Sequence, residues 1–230
     1  MIIKGLAKLT LLDYPGKVAC TVFTGGCNFK CPFCHNASLA VRSGELPNIP
    51  EEELFALLDK RRGILDGVCV TGGEPLLMPD IADFLGRIKE RGYSVKLDTN
   101  GSRPEQLSGL IDLGLVDMVA MDIKNSPEKY ALTAGVPDLD LAPIRTSVDI
   151  LMEGRIPYEF RTTVVNELHT ARDMEEIGKW INGANAYYLQ SFVDSGDLIG
   201  SGLSACSTST LKEFLSIVQK YVSNSHLRGV

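Results

Sequence analysis

The chain has 230 residues, of which 44% are hydrophobic and 23% are charged, and its formal net charge is −6. This size and apolar content suit one buried core and exclude the disordered and fibrous classes, and an acidic chain without a basic tract argues against nucleic-acid binding. No apolar run reaches the roughly 18 residues of a membrane span and the first residues lack a secretory apolar segment, so we expect a cytoplasmic protein without membrane contact.

Short strand-like runs alternate with amphipathic helical segments along most of the chain. The strand-like runs are residues 18–24, 67–71, 93–98, 116–123, 158–164 and 186–191. Repeated alternation of this kind predicts parallel strands joined by right-handed crossovers. Six units are too few for a closed eight-stranded barrel. We therefore expect an α/β fold with a partial (β/α)6 barrel of parallel strands, with an open doubly wound sheet as the alternative.

No linker or low-complexity segment divides the chain, so we expect a single domain over residues 1–230. Its core covers about residues 16–192. The Ser/Gly-rich residues 195–210 predict a long loop, and the apolar positions beyond it predict a C-terminal helix over about residues 208–223.

Three of the six cysteines, Cys27, Cys31 and Cys34, lie within eight residues after the first predicted strand. Their spacing lets three thiolates converge on one metal centre, but it supplies no fourth ligand. Structural zinc sites and electron-transfer iron–sulfur clusters usually have four protein ligands. An open position therefore indicates a metal centre that binds a substrate or cofactor directly.

Two shorter patterns overlap this cysteine cluster. Cys31, Cys34 and His35 fit the C-x-x-C-H haem-attachment pattern, and the first two also fit a thioredoxin-type pair. Both patterns leave Cys27 without a role, and neither suits a chain with this many strands and no export signal. The three-cysteine interpretation is favoured. The remaining cysteines are isolated in sequence and give no pattern: Cys20, Cys69 and Cys206.

Distinctive polar residues follow the other predicted strands. Ligands of parallel α/β folds bind beyond the carboxyl ends of the strands, which is where these residues fall. Each residue alone is weak evidence, but a series on one rim predicts a ligand site. The series contains Gly72, Gly73, Glu74, Asp98, Thr99, Asp122, Lys124, Arg161, Thr163 and Gln190.

Each of these residues also has a plain structural interpretation. Gly72 and Gly73 let a backbone approach a ligand, with Glu74 beside them as an acceptor for an ammonium group, or the three form a capped tight turn. Asp98 and Asp122 suit ribose hydroxyls, a cation or a lysine partner, or they are solvated strand ends.

The same choice applies to two further positions. Lys124 suits a ligand carboxylate, or it is a surface lysine. Phe33, between two of the cysteines, suits a planar base, or it anchors the loop.

The pattern Cys-x3-Cys-x2-Cys after a first strand, with Gly72-Gly73-Glu74-Pro75 after the second, resembles the radical S-adenosylmethionine (radical SAM) enzymes. The resemblance implies that Cys27, Cys31 and Cys34 bind a 4Fe–4S cluster. It also implies that the amino and carboxylate groups of S-adenosylmethionine chelate the fourth iron.

Within that superfamily, several segments resemble the activating enzymes of glycyl-radical proteins. Residues 12–17, 25–29 and 34–36 resemble the anaerobic ribonucleoside-triphosphate reductase activating proteins. Residues 98–101 and 122–124 resemble the pyruvate formate-lyase activase. The resemblance implies that Gly72, Gly73 and Glu74 hold the methionine amino group, and that Asp98 and Lys124 contact the rest of the cofactor.

Further contacts follow from the same resemblance. The backbone of Phe33 meets the adenine, and Asp98, Thr99 and Asp122 frame a monovalent-cation site. That activase has a histidine near the end of its last barrel strand, where this chain has Gln190 and Phe192. We expect one of these two residues to replace it.

The function implied is reductive cleavage of S-adenosylmethionine and transfer of the radical to a glycine of a partner, the anaerobic ribonucleotide reductase. A flavodoxin or ferredoxin would donate the electron. Two alternatives stay open: a radical enzyme for a small molecule, similar to 7-carboxy-7-deazaguanine synthase, and a non-enzymatic iron–sulfur electron carrier. The second leaves Gly72, Gly73 and Glu74 without a role.

Overall fold

The computed structural model describes residues 1–230, which form one eight-stranded sheet with helices packed on it. The strands are β1 (Ile3–Thr10), β2 (Ala19–Thr24), β3 (Gly67–Gly72), β4 (Ser94–Thr99), β5 (Met118–Asp122), β6 (Tyr158–Val164), β7 (Tyr187–Ser191) and β8 (Ser225–Arg228). The helices are α1 (Ala37–Val41), α2 (Glu51–Lys60), α3 (Ile81–Lys89), α4 (Pro104–Asp112), α5 (Tyr130–Ala134), α6 (Ala142–Met152), α7 (Ala171–Trp180) and α8 (Thr208–Val218). None of the helices is long and apolar enough to cross a membrane.

The order of the strands in the sheet is their order in the sequence. Strands β1 and β2 are antiparallel, and every later neighbouring pair is parallel. Each new strand is therefore added on the same side of the previous one, and the sheet curls as in a barrel. In a doubly wound sheet, by contrast, the strand order reverses. Because β8 does not pair with β1, the barrel stays open. The predicted α/β partial barrel is confirmed, and the doubly wound alternative is wrong.

The six predicted strands correspond to β2–β7, and the two strands that sequence patterns missed lie at the edges of the sheet. Strand β1 carries lysines at positions 4 and 8 and is only partly buried, so it lacks a continuous apolar run. Strand β8 has four residues, with Leu227 as its one large apolar side chain. Such short or mixed segments become strands because they pair with a neighbouring strand, and sequence alone does not identify that neighbour.

Helix boundaries follow local capping and packing. Helix α3 buries Ile81, Phe84, Leu85 and Ile88 on one face, which is the predicted period. Helix α8 ends at Val218 and not near residue 223, because the chain turns there into β8. The remaining stretch before α8, residues 192–207, has no regular helix or strand.

The hydrophobic core lies between the sheet and the helices and contains 48 buried residues. Successive side chains along each strand point alternately into this core and into the barrel interior. On β4, for example, Val95 and Leu97 belong to the core, whereas Asp98 lines a cavity inside the barrel. The fold thus directs one face of each strand to packing and leaves the other for polar side chains.

Strand β8 is held on the sheet by a charge pair that predicts a large mutational effect. The two terminal guanidinium nitrogens of Arg228 donate to the buried carboxylate of Glu159, at 2.7 and 2.8 Å. The Arg228→Ala variant leaves that carboxylate buried and unpaired, which typically costs about 3–5 kcal/mol. We expect a loss of this size in the free energy of unfolding, measured by urea denaturation, with faster hydrogen exchange in β8.

The matched control is Arg172→Ala. Arg172 lies 3.6 Å from Glu128, and the two side chains are 81% and 78% exposed. An exposed pair of this kind contributes about 1 kcal/mol or less. Equal losses in the two variants would contradict the assignment of Arg228 as the residue that fixes β8.

Candidate functional site

The three clustered cysteines lie on one loop after β2, residues 25–36, which we call the cysteine loop. Cys27, Cys31 and Cys34 all line the same cavity of about 360 Å³ inside the open barrel. All three are free thiols, and the Cys31 side chain is buried. The Cys34 amide donates to the Cys31 carbonyl at 3.0 Å, so a tight turn separates these two side chains. The spacing predicted this common location.

The cysteine loop is anchored by backbone hydrogen bonds to three other parts of the fold. Gly26 donates to the Leu39 carbonyl of α1 at 2.8 Å, and Lys30 donates to the Ala134 carbonyl at the end of α5 at 2.9 Å. From the irregular segment before α8, Gly200 donates to the Pro32 carbonyl at 2.8 Å. The loop is therefore fixed along its length by backbone contacts.

Gly72 and Gly73 are required by the contact between β3 and the cysteine loop. Gly72 has φ of +121°, and a Cβ at this position would lie 2.5 Å from the Thr24 carbonyl oxygen. A Cβ on Gly73 would overlap the Gly26 carbonyl. Both glycines also line the cavity. They bring the end of β3 against the base of the cysteine loop and leave their backbone facing the cavity.

Glu74 lies behind the cavity wall and does not line it. Its carboxylate accepts hydrogen bonds from the Leu76 amide at 3.1 Å, the Thr99 hydroxyl at 2.8 Å and the Asn100 amide at 2.7 Å. Burial raises the pKa of Glu74 to about 7, although these three donors favour the ionised form. The side chain therefore ties the end of β3 to the end of β4.

The carboxylates of Asp98 and Asp122 are joined by Arg161, whose role the sequence did not specify. The guanidinium lies 3.0 Å from Asp98 and 2.9 Å from Asp122. Lys96 pairs with Asp98 at 2.5 Å, and Lys124 pairs with Asp122 at 3.0 Å. Burial opposes the ionisation of Asp122, but the charges of Arg161 and Lys124 outweigh it and lower its pKa to about 2.

The structure brings nearly all of the predicted site residues together around the cavity. The predicted residues that line it are Cys27, Cys31, Phe33, Cys34, Gly72, Gly73, Asp98, Thr99, Asp122, Lys124, Arg161, Thr163 and Gln190. Of the two candidates for the missing histidine, Gln190 lines the cavity, whereas Phe192 packs on His35 with ring centroids 5.7 Å apart. The Lys124 ammonium lies 6.0 Å from the centre of the Phe33 ring.

Asn100 is a site residue that sequence patterns did not single out. Its side chain is buried and lines the cavity beside Cys27. It stands within the segment 98–101 at the end of β4, so its position on the rim was predictable. Its contact with the cysteine loop was not, because that contact joins residues 73 positions apart.

The thiols fit an iron–sulfur cluster better than a single ion. No three Cys, His, Asp or Glu side chains lie close enough together to hold one metal ion. Three thiols that bind three different irons of a cluster do not need to meet at a point, and an all-sulfur donor set suits iron–sulfur chemistry. Burial raises the pKa of Cys27 to about 11 and that of Cys31 to about 12, so iron must displace their protons on binding.

The sequence is similar to proteins of a known family. The family model of the radical SAM superfamily matches residues 21–181. A protein of Methanocaldococcus jannaschii named as a glycyl-radical enzyme activating enzyme is 31% identical over 236 residues, covering 100% of this chain and 96% of that protein. A 7-carboxy-7-deazaguanine synthase of Methanopyrus kandleri is 34% identical over 130 residues, covering 48% of this chain and 51% of the synthase.

Solved structures share the fold at lower identity. A domain of pyruvate-formate lyase-activating enzyme from Bacteroides vulgatus has a TM-score of 0.58 and 19% identity, covering 71% of this chain and 99% of that domain. Streptococcus suis SuiB bound to S-adenosylmethionine has a TM-score of 0.67 and 15% identity, covering 91% of this chain and 52% of SuiB. Membership of the superfamily implies a 4Fe–4S cluster and S-adenosylmethionine as cofactors. From the family match and the shared fold, we conclude that this chain belongs to the radical SAM superfamily.

Proposed function

We propose that this protein is an activating enzyme that generates a glycyl radical on a partner protein, and that the partner is an anaerobic ribonucleoside-triphosphate reductase. The observation that carries the proposal is the match to a relative named as a glycyl-radical enzyme activating enzyme, which extends over the whole chain. The choice of the reductase rests on the resemblance of residues 12–17, 25–29 and 34–36 to its activating proteins.

In this proposal Cys27, Cys31 and Cys34 would hold the cluster at the cavity that all three line. The cluster and S-adenosylmethionine would supply the one-electron chemistry: an electron from the donor protein would cleave S-adenosylmethionine to methionine, and a hydrogen atom of the partner's glycine would end on 5′-deoxyadenosine. The contribution of the protein is to position the reacting groups in this cavity.

The remaining cavity residues hold S-adenosylmethionine. Gly72 and Gly73 offer backbone groups to the methionine amino group, because no side chain stands between their backbone and the cavity. Glu74 acts through the backbone it caps, since its oxygens already accept three hydrogen bonds. Lys124 faces the cofactor carboxylate. The other proposed contacts are Phe33, Asp98, Thr99 and Gln190.

The geometry favours Arg161 over a monovalent cation as the partner of the rim carboxylates. A cation held by Asp98, Thr99 and Asp122 would share both carboxylates with the guanidinium. The Thr99 hydroxyl also has partners, since it donates to Glu74 and accepts from the Gly101 amide at 3.1 Å. Cleavage of S-adenosylmethionine should therefore continue when potassium and sodium are replaced by choline.

The electron donor in this proposal is a flavodoxin or a ferredoxin, because these proteins supply single electrons at low potential. Six free cysteines and a reduced cluster suit the reducing conditions of the cytoplasm. We place the reaction there.

A second candidate function is a radical reaction on a small molecule. The partial match to a 7-carboxy-7-deazaguanine synthase favours it, although that match covers about half of each chain. A simple electron carrier is disfavoured, because it would not need a polar cavity of about 360 Å³ beside the cysteines.

The first prediction tests the cluster and the cleavage reaction. After anaerobic reconstitution with iron and sulfide, the reduced protein should convert S-adenosylmethionine to 5′-deoxyadenosine. The Cys27→Ala variant should lose stable cluster binding and this product, whereas Cys206→Ala, outside the cavity, should keep both. Iron analysis and chromatography measure the outcome. A full cluster in Cys27→Ala, or no cleavage in the loaded wild type, would show the assignment to be wrong.

The second prediction separates the two candidate functions. Addition of the anaerobic ribonucleotide reductase should produce the doublet of a glycyl radical in the electron paramagnetic resonance (EPR) spectrum, with one 5′-deoxyadenosine for each radical. A reductase whose radical glycine is replaced by alanine is the control. In a parallel reaction that contains the substrate of 7-carboxy-7-deazaguanine synthase in place of the reductase, formation of 7-carboxy-7-deazaguanine would favour the small-molecule enzyme, provided that the reductase gives no protein radical.

The third prediction concerns Arg161. The Arg161→Met variant leaves Asp98 paired with Lys96 alone and Asp122 paired with Lys124 alone. Because each carboxylate loses one of its charged donors, we expect a loss of about 1–3 kcal/mol in the free energy of unfolding at pH 7. The folded pKa of Asp122 is lowered from 3.8 to about 2, so its stabilising contribution is present above pH 3.8 and is lost as the pH falls towards 2.

The difference in the free energy of unfolding between wild type and Arg161→Met should therefore decrease as the pH is lowered. Urea denaturation from pH 7 to pH 2 measures it. A difference that is independent of pH would mean that Arg161 stabilises the fold by packing and not by its charge.

A further inference from the structure

Asn100 is the one residue whose side chain donates a hydrogen bond to a cysteine of the cysteine loop. Its Nδ2 atom lies 3.8 Å from the Cys27 sulfur and 3.0 Å from the Asn28 Oδ1. We propose that Asn100 is a positioning residue for the cluster: its amide donates to the sulfur of Cys27 and raises the reduction potential of the cluster.

The orientation of this amide is fixed by its other contacts. The Asn100 Oδ1 accepts from the Ser102 amide at 2.9 Å, so Nδ2 must be the atom that faces Cys27 and Asn28. The Asn100 backbone N–H donates to the buried carboxylate of Glu74 at 2.7 Å. The side chain is 5% exposed, so water does not compete strongly for its donors. The amide is thus held as a donor before any cluster binds.

The loop side of the contact is also fixed. Asn28 Nδ2 donates to the Ser102 hydroxyl at 2.9 Å, which closes a small ring of hydrogen bonds between the cysteine loop and the end of β4. A backbone donor, the Phe29 N–H, reaches the same Cys27 sulfur at 3.3 Å. Cys27 therefore receives two donors, one from its own loop and one from the residue that follows β4.

Donors to a cluster sulfur favour the reduced state, because reduction adds negative charge that the sulfur ligands share. The amide of Asn100 supplies this stabilisation without adding a full charge or a proton. Since the reaction begins with one electron entering the cluster, Asn100 would set how strong a donor protein is needed. This role rests on the cluster and is independent of which partner receives the radical.

The experiment is an EPR-monitored redox titration of the reconstituted protein, without S-adenosylmethionine and without a partner. The variants are Asn100→Ala and Asn100→Asp, and the control is Ser102→Ala, which removes a hydrogen bond from the same ring but leaves the Ser102 amide in place. In Asn100→Ala the ratio of reduced to oxidised cluster at a fixed potential should fall about tenfold, or ~59 mV for one electron. Asn100→Asp should lower it further, because a carboxylate replaces the donor.

Ser102→Ala should titrate like the wild type. An unchanged potential in a fully loaded Asn100→Ala would overturn the proposal. Loss of the cluster in both Asn100 variants, with a loaded Ser102→Ala, would overturn it too, since Asn100 would then serve only to build the loop. A wild type that never forms a cluster would instead refute the cofactor assignment. If the Asn100 variants shift the reduction potential as predicted but the wild type forms no glycyl radical on the reductase, only the proposed function is refuted.

Discussion

The close contact between the end of β3 and the base of the cysteine loop is the constraint on which the site depends. Gly72 and Gly73 lie so near Thr24 and Gly26 that any side chain would push the loop away. Three thiols can hold the positions that metal binding requires only if the loop that carries them is rigid. The hydrogen bonds from α1, α5 and the segment before α8 complete this rigidity. The glycines therefore serve the loop as well as the cavity.

The second condition of the site is its balance of charge. Inside the barrel three basic side chains, Lys96, Arg161 and Lys124, face two carboxylates, Asp98 and Asp122. The Asp13 carboxylate lines the same cavity, so three carboxylates balance the three basic side chains. Charge in a poorly solvated interior is costly unless it is compensated, and this arrangement compensates the carboxylates. The ion pairs therefore make a polar interior possible beside the cysteine loop.

Local patterns in the sequence were sufficient to predict the parallel strands β2–β7 and the common location of the three cysteines. Strand periodicity and cysteine spacing depend on near neighbours, and the order of the elements then places the polar strand ends on one rim. Residues whose role depends on distant partners could not be predicted in this way. Glu74 reads as a ligand acceptor in sequence, but the structure places it behind the wall, where it binds three protein donors.

Arg161 and Asn100 illustrate the same limit. Each gains its role from residues on other strands or loops, at separations of 63 positions from Asp98 and 73 from Cys27. Strands β1 and β8 are similar cases, because a short edge strand is defined by its neighbour in the sheet. The contacts that tune the site are therefore the part of the protein that needed three-dimensional structure.

The proposed site is a cluster held by three cysteines, with one iron left open to a cofactor. Mössbauer spectroscopy of the protein reconstituted with ⁵⁷Fe, with and without S-adenosylmethionine, can detect this open iron. One iron of the four should change its isomer shift when S-adenosylmethionine is added, while the other three keep theirs. Four irons that all remain unchanged, in a fully loaded protein, would contradict it.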